Sequence, residues 1–243
     1  MSRADGRDWN QPRKIEFIMD YLQYAEGSCL AIAGNTKVLC AASFETRVPP
    51  YLVGSGQGWI TAEYSLLPRS THQRTLREST VGKLQGRNQE IRRFLGRSLR
   101  AICNLFNLGE NQIIIDCDVI QADGGTRTLA LNGAFCALSR CVANLLANNR
   151  ITKNPIIEHV GAISVGLVQQ NILLDLDYSE DSQAETDMNI VLTETNRIVE
   201  LQATAERQPF TFDDFNKMFS LAKTAIKQII EQQKNTLKGP SLK

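Results

Sequence analysis

The sequence predicts an α+β fold in a single domain over residues 1–243, built from two strand-rich halves that each close with a helix. Three observations carry this reading. β-rich runs cluster at the start of each half, and a helical apolar periodicity follows each cluster. The 42% hydrophobic and 22% charged fractions are those of an ordinary globular chain, and 243 residues suffice for a large core. No stretch has the composition of a flexible interdomain linker. The repetition of style between the halves suggests internal pseudo-symmetry, although no residue-level repeat is visible.

In chain order, the runs Ser28–Ala33 and Lys37–Phe44 read as two strands joined at Gly34-Asn35, a hairpin-turn pair. Val48-Pro49-Pro50 and the glycines at 54, 56 and 58 mark a loop before a strand at Trp59–Ser65. Residues 70–86 are charged and aperiodic and read as an exposed basic loop. From Arg87 to Asn104 the apolar residues Ile91, Phe94, Leu95, Leu99 and Ile102 fall at helical spacing, with arginines between them. Gln112–Ile120 is β-rich and leads into Asp123-Gly124-Gly125. A helix follows over Thr126 to Ala147, with Leu129, Phe135, Leu138, Val142 and Leu145 as core positions. After Pro155, strands are expected at His159–Gln169 and Ile172–Leu176, joined near Gln170-Asn171, then at 185–193 and 197–204. A last amphipathic helix runs from Thr211, a suitable N-cap, to Gln233, and 236–243 read as a frayed tail.

Several function classes are excluded. The charged start carries no apolar leader, and no uninterrupted apolar run approaches the roughly 20 residues of a bilayer span, so a cytoplasmic location is expected. Six cysteines show no zinc spacing and sit among apolar neighbours, as small reduced hydrophobes do. His72 and His159 belong to no metal motif. Neither a P-loop nor a serine-hydrolase elbow is present.

Charge is uneven. The nine basic residues from Arg69 to Arg100 are opposed only by Glu78 and Glu90, so this stretch carries +7 and the remainder −6. Eight of the nine are arginine, whose fork suits phosphate, which favours a polyanion partner over a merely solvated face. Asp116–Thr128 places Gly124, Gly125, Thr126 and Arg127 where a strand hands over to a helix. That is either a plain N-capped turn or an anion site that combines close backbone approach with a hydroxyl and a guanidinium. Asp177–Asp187 holds five carboxylates in eleven residues: either a solvent-facing connection or, through Asp181 and Asp187, a seat for a hard cation such as Mg²⁺. Arginine phosphate binding facing an acidic metal site is the arrangement phosphoryl transfer requires.

Ordered motifs then point to a family. Arg3-Ala-Asp-Gly-Arg7, Ala25-Glu-Gly-Ser28, Gly58–Arg69, Gly86-Arg-Asn-Gln-Glu-Ile-Arg-Arg93, Gly96–Arg100, Asp116–Thr128 and Leu174–Asn189 together resemble the bacterial ribonuclease PH family over residues 1–235. The resemblance implies a ribosomal-protein-S5-domain-2-like fold assembled as a homo-hexamer, a trimer of dimers. It implies a phosphate-dependent 3′-to-5′ exoribonuclease that trims precursor tRNA and other RNA 3′ ends, releasing nucleoside diphosphates. By the same resemblance Arg87, Gly125, Thr126 and Arg127 bind inorganic phosphate, Asp181 and Asp187 support catalysis and Mg²⁺, and Arg69, Arg74 and Arg77 grip RNA. Two departures from the family pattern are modest: Ala203 replaces a usual glycine in Gln202–Glu206, and Ile91–Gly96 gains an arginine and repacks two apolar residues. The competing reading is a non-catalytic RNA-binding subunit of an exosome-like ring. Such subunits typically lack the phosphate clamp or the acidic pair, and this chain has both.

Overall fold

Gly34 and Asn35 form a two-residue hairpin loop, with Ala33 paired to Thr36 across it and Gly34 at φ 55°. Around this hairpin, in a computed structural model that describes residues 3–82 and 85–239, the first half builds a five-stranded sheet. Its strands are β1 (Ile15–Met19), β2 (Gly27–Ala33), β3 (Thr36–Glu45), β4 (Trp59–Leu66) and β5 (Gln112–Gln121), in the order β1-β2-β3-β5-β4. Lys83 and residues 240–243 of the expected tail lie outside the described residues.

All neighbours are antiparallel except β4 and β5, which run parallel. A parallel pair needs a long crossover. It is supplied by the basic loop, the single turn α1 (Glu78–Val81) and α2 (Gly86–Ala101). Strict alternation puts Ile113, Ile115, Cys117 and Val119 of β5 in the core. Strand β1 is the strand the sequence reading omits. Ile15, Phe17 and Met19 alternate inward, but five residues at a sheet edge leave a short signal.

The second sheet holds β6 (Val160–Val168), β7 (Asn171–Leu174), β8 (Thr186–Thr193) and β9 (Ile198–Ala205) in the order β7-β6-β8-β9, antiparallel throughout. The β6–β7 loop is Gln169-Gln170, both left-handed, one residue before the expected position. Helix α3 (Thr126–Ala147) packs on β2 and β3 and also on β6. It is long and apolar enough to cross a membrane by length and composition, but most of that apolar window is buried inside the fold. Being covered by both sheets, it has core residues on nearly every face. Asn132 ties it to β6: its side-chain amide donates to the Ala162 carbonyl (2.9 Å) and its Oδ1 accepts from the Ala162 N–H (2.8 Å).

A one-turn helix α4 (Tyr178–Asp181) interrupts the acidic segment, and α5 (Phe212–Leu237) ends the second half. Thr211 and Asp214 form the capping box that starts α5. The helix continues past the expected end because the Gln233 side chain is buried rather than terminal. One hydrophobic core joins residues of both sheets, α2, α3 and α5, and all six cysteines are buried and unpaired.

Candidate active site

At the C-terminal end of β5 the chain turns through Gly124 (φ 71°) and Gly125 (φ 62°) into α3. A Cβ on Gly124 would overlap the Leu176 carbonyl and the Asp177 backbone, and one on Gly125 would press on the Arg13 guanidinium. The close approach expected to serve a ligand therefore serves the protein's own 175–177 segment first. The turn still faces a cleft. Gly125, the N-cap of α3, makes no side-chain capping bond, so the positive end of a 22-residue helix points outward there. Buried Tyr64 donates its hydroxyl hydrogen to Thr126 Oγ1 (2.9 Å), leaving the Thr126 hydroxyl hydrogen to donate elsewhere. Burial holds the Tyr64 phenol above its ordinary pKa, keeping that donor protonated.

Arg13 locks this turn to the acidic segment. Its Nε and Nη2 fork the Asp175 carboxylate (2.9 and 2.6 Å), while Nη1 donates to the Asp123 carbonyl (2.5 Å) and Thr36 Oγ1 (3.2 Å). Burial pushes the Asp175 carboxyl up, but the hydrogen bonds and charge of Arg13 outweigh it and hold the group below the usual carboxylate range. Asp175 itself adopts φ 55°, a conformation costly for a non-glycine residue and maintained here by these bonds. Next to it, Arg3 forks Glu180 (2.7 and 2.6 Å) and donates to the Leu174 and Asp175 carbonyls.

Four of the five carboxylates of the acidic segment thus divide. Asp177 caps α4 by accepting from the Glu180 N–H (3.0 Å), and Glu180 is buried against Arg3. Asp181, one residue on, faces the cleft, and so does half-buried Asp187 at the start of β8. Burial first and the neighbouring Asp181 charge second push the Asp187 carboxyl up to about 6. Arg127, the Asn189 amide (3.0 Å) and Arg87 pull it the other way. Asp181 is also raised, by burial and despite Arg87 and Arg127. Among the described residues no group of three His, Cys, Asp or Glu side chains converges as a metal nest. Two carboxylates both raised by burial, beside the unpartnered buried hydroxyl of Ser164, fit Mg²⁺, which keeps several waters and takes few protein ligands.

Arg87, Gly125, Thr126, Arg127, Asp181 and Asp187 all line one cleft of about 250 Å³. Three depressions are larger, about 480, 440 and 330 Å³, flanked respectively by Glu194 and Lys223, by Phe135 and Leu146, and by Arg69 and Asp123. None joins an uncapped helix start to a carboxylate pair, so chemistry rather than size picks out the cleft. The Arg87 side chain is exposed and makes no hydrogen bond or ion pair among the described residues. Arg127 is engaged: Nη2 and Nη1 meet the Glu90 carboxylate at 2.8 and 3.2 Å, and Nη1 also donates to Gln202 Oε1. Arg69, Arg74 and Arg77 stand exposed outside the cleft. Arg69 lines a depression that shares Thr71 and Ala122 with it, Arg77 lines another that shares Gln85 and Asn88, and Arg74 lines neither.

The arginine stretch is not one polyanion face. Arg92 pairs with Glu63 (2.9 Å) and Glu78 (3.2 Å), Arg97 pairs with Glu200 (3.1 Å), and Arg100 lies over the Trp59 ring and donates to the Ile60 carbonyl. Those partners lie outside the stretch or are few, so net charge alone conceals the pairing. Sequence reasoning also missed Tyr64, Asn88, Ser164 and Tyr178 in the cleft wall. Tyr64, Asn88 and Tyr178 lie inside the motifs Gly58–Arg69, Gly86–Arg93 and Leu174–Asn189, which is the signal that could have found them, whereas Ser164 lies in none.

Residues 11–143 match the 3′ exoribonuclease family, domain 1, and residues 159–225 match domain 2 of the same family. The chain is 53% identical over 241 residues to Ribonuclease PH of Bacillus subtilis (strain 168), covering 99% of this chain and 98% of that one. It is 51% identical over 225 residues to Ribonuclease PH of Neisseria meningitidis serogroup B (strain MC58), covering 93% of each. Among solved structures, the Archaeoglobus fulgidus exosome with RNA bound to its active site superposes with a TM-score of 0.80 at 20% identity, over 95% of this chain and 92% of that one. An archaeal exosome core gives 0.77 at 19% identity, over 96% and 91%. At these identities the structural likeness speaks for the fold alone.

Proposed function

The chain belongs to the 3′ exoribonuclease family and is a phosphorolytic 3′-to-5′ exoribonuclease of the ribonuclease PH type; from that premise we propose how its cleft divides the work. RNA and inorganic phosphate are its substrates, and we take precursor tRNA 3′ ends as the RNA. Phosphate is held by Arg87, the Thr126 hydroxyl, the free N–H groups at the start of α3 beside Gly125, and Arg127. The observation that carries this assignment is the convergence of those groups with Asp181 and Asp187 in one cleft.

A phosphate oxygen attacks the 3′-terminal phosphodiester phosphorus. The bond to the ribose 3′ oxygen of the penultimate nucleotide breaks, giving a nucleoside 5′-diphosphate and an RNA one nucleotide shorter. Two anions must meet, so the guanidinium groups offset their repulsion and set the angle of attack. Mg²⁺ held by Asp181 and Asp187 would neutralise charge on the scissile phosphate. The departing oxygen needs a proton, and because the Asp181 charge raises the neighbouring Asp187 carboxyl its delivery belongs to the pair as a unit. Arg69, Arg74 and Arg77 take the RNA backbone upstream of the cleft, and six copies of the chain form a ring. No feature of the cleft favours the non-catalytic reading, since both the clamp and the acidic pair are present.

The deciding experiment follows labelled RNA with and without phosphate. Shortening should require phosphate, saturate with it and yield nucleoside diphosphates. Equal shortening in phosphate-free buffer, with monophosphates released, would overturn the assignment.

A further inference from the structure

Glu90 is a carboxylate placed beside an anion site, where its own charge should repel phosphate, and that placement needs a reason. Residues 87, 90 and 94 fall on one face of α2, the face turned to the start of α3. From it Glu90 accepts from both terminal nitrogens of Arg127, Nη2 at 2.8 Å and Nη1 at 3.2 Å, while Gln202 on β9 accepts a further hydrogen of Nη1. The Phe94 ring lies 5.8 Å from the guanidinium carbon. An arginine has five N–H donors in a rigid plane. Glu90 takes one hydrogen of each terminal nitrogen at the outer end of the fork, and Gln202 takes the other hydrogen of Nη1, on the side away from the Nε hydrogen. The Nε hydrogen and the second Nη2 hydrogen remain, side by side on one edge, with the spacing that chelates two oxygens of a phosphate.

We propose that Glu90, aided by Gln202, is the positioning residue of the phosphate clamp: it fixes the outer end of Arg127 so that the Nε–Nη2 edge is presented to the attacking phosphate. This rests on the assignment of Arg127 to phosphate made above. The carboxylate is already satisfied by two N–H groups, so its residual repulsion of phosphate is weaker than the benefit of an arginine held in place before phosphate arrives.

The test is calorimetric titration of inorganic phosphate into the full-length protein, with steady-state kinetics alongside, for Glu90→Ala, Glu90→Gln, Arg127→Ala and the double variant Glu90→Ala/Arg127→Ala. Glu90→Ala should weaken phosphate binding about tenfold, and Glu90→Gln, which keeps one acceptor, about threefold. The KM for RNA should stay within about twofold, while the KM for phosphate rises in step with the loss of phosphate binding. In the Arg127→Ala background, Glu90→Ala should change phosphate binding no further. Unchanged or tighter phosphate binding by Glu90→Ala, with Arg127→Ala weakening it, overturns the positioning role and leaves the clamp standing. An equal loss in both backgrounds, or parallel losses for RNA and phosphate, also overturns it. Phosphate binding indifferent to Arg127→Ala removes the clamp assignment itself and this inference with it.

Discussion

Asp187 carries a cost set by its burial first and by the neighbouring Asp181 charge second. Its carboxyl is raised from 3.8 to about 6, so between those values the folded protein binds more protons there than the unfolded chain. Stability therefore falls as pH rises through this window, and the full cost, of order 3 kcal/mol at most, is present above about 6. Asp187→Asn should relieve it: in metal-free buffer at pH 8 the variant should melt about 2–6 °C higher than the parent. That advantage should shrink toward zero by pH 4, while turnover falls about 100-fold or more. Thermal melts at the two pH values, beside a turnover assay, check this; a variant no more stable than the parent at pH 8 contradicts it. Residues of this kind are half-legible in a sequence. The spacing of Asp181 and Asp187 marks them as candidates, but Asp177 and Glu180 in the same run look identical on paper. Only the capping bond of Asp177 and the fork of Arg3 on Glu180 separate scaffold from site.

At the scale of elements, the basic loop and α2 differ although their sequences look continuous. The α2 arginines at 92, 97 and 100 are occupied by Glu63, Glu78, Glu200 and Trp59, whereas Arg74 and Arg77 of the loop are solvent-facing. Replacing Arg69, Arg74 and Arg77 together with alanine should weaken RNA binding and reduce the slope of log affinity against log salt by about 2, as the loss of three single-strand phosphate contacts predicts. Phosphate affinity should be untouched. Binding measured across a salt series decides, and an unchanged slope would assign the loop to something other than RNA. Helices and central strands were readable because α2 shows a clean apolar face and β5 a clean alternation. Strand β1 was not, being five residues long, nor was the position of the Gln169-Gln170 turn, which lacks the glycine that usually marks a left-handed loop.

For the whole molecule, the unread part of the site is a matter of distance along the chain. Arg13 meets Asp175 across 162 positions, and no local pattern announces such a pair. Motif order suggested that phosphate turn and acidic segment work together; the fold supplies the physical link, one buried guanidinium touching both. Assembly is the remaining whole-molecule expectation. Tyr51, Val53 and Phe106 leave apolar surface exposed on adjoining loops at the start of β4, the kind of surface that copies of a chain cover when they associate. Gel filtration with light scattering of the protein alone should give six times the 27.1 kDa chain mass. A monomer at micromolar concentration would contradict the ring.

The link through Arg3 and Arg13 also bears on where this protein can be cut. The family match begins at residue 11, so trimming to that boundary keeps every strand and helix of both sheets. It removes Arg3, the partner that holds Glu180 in the helix turn carrying Asp181, and Arg7, which donates to the Asp175 carbonyl (3.1 Å). What a cut at that boundary takes away is therefore not a strand or a helix but the ties that residues 3–10, which lie in neither sheet, make to the acidic segment.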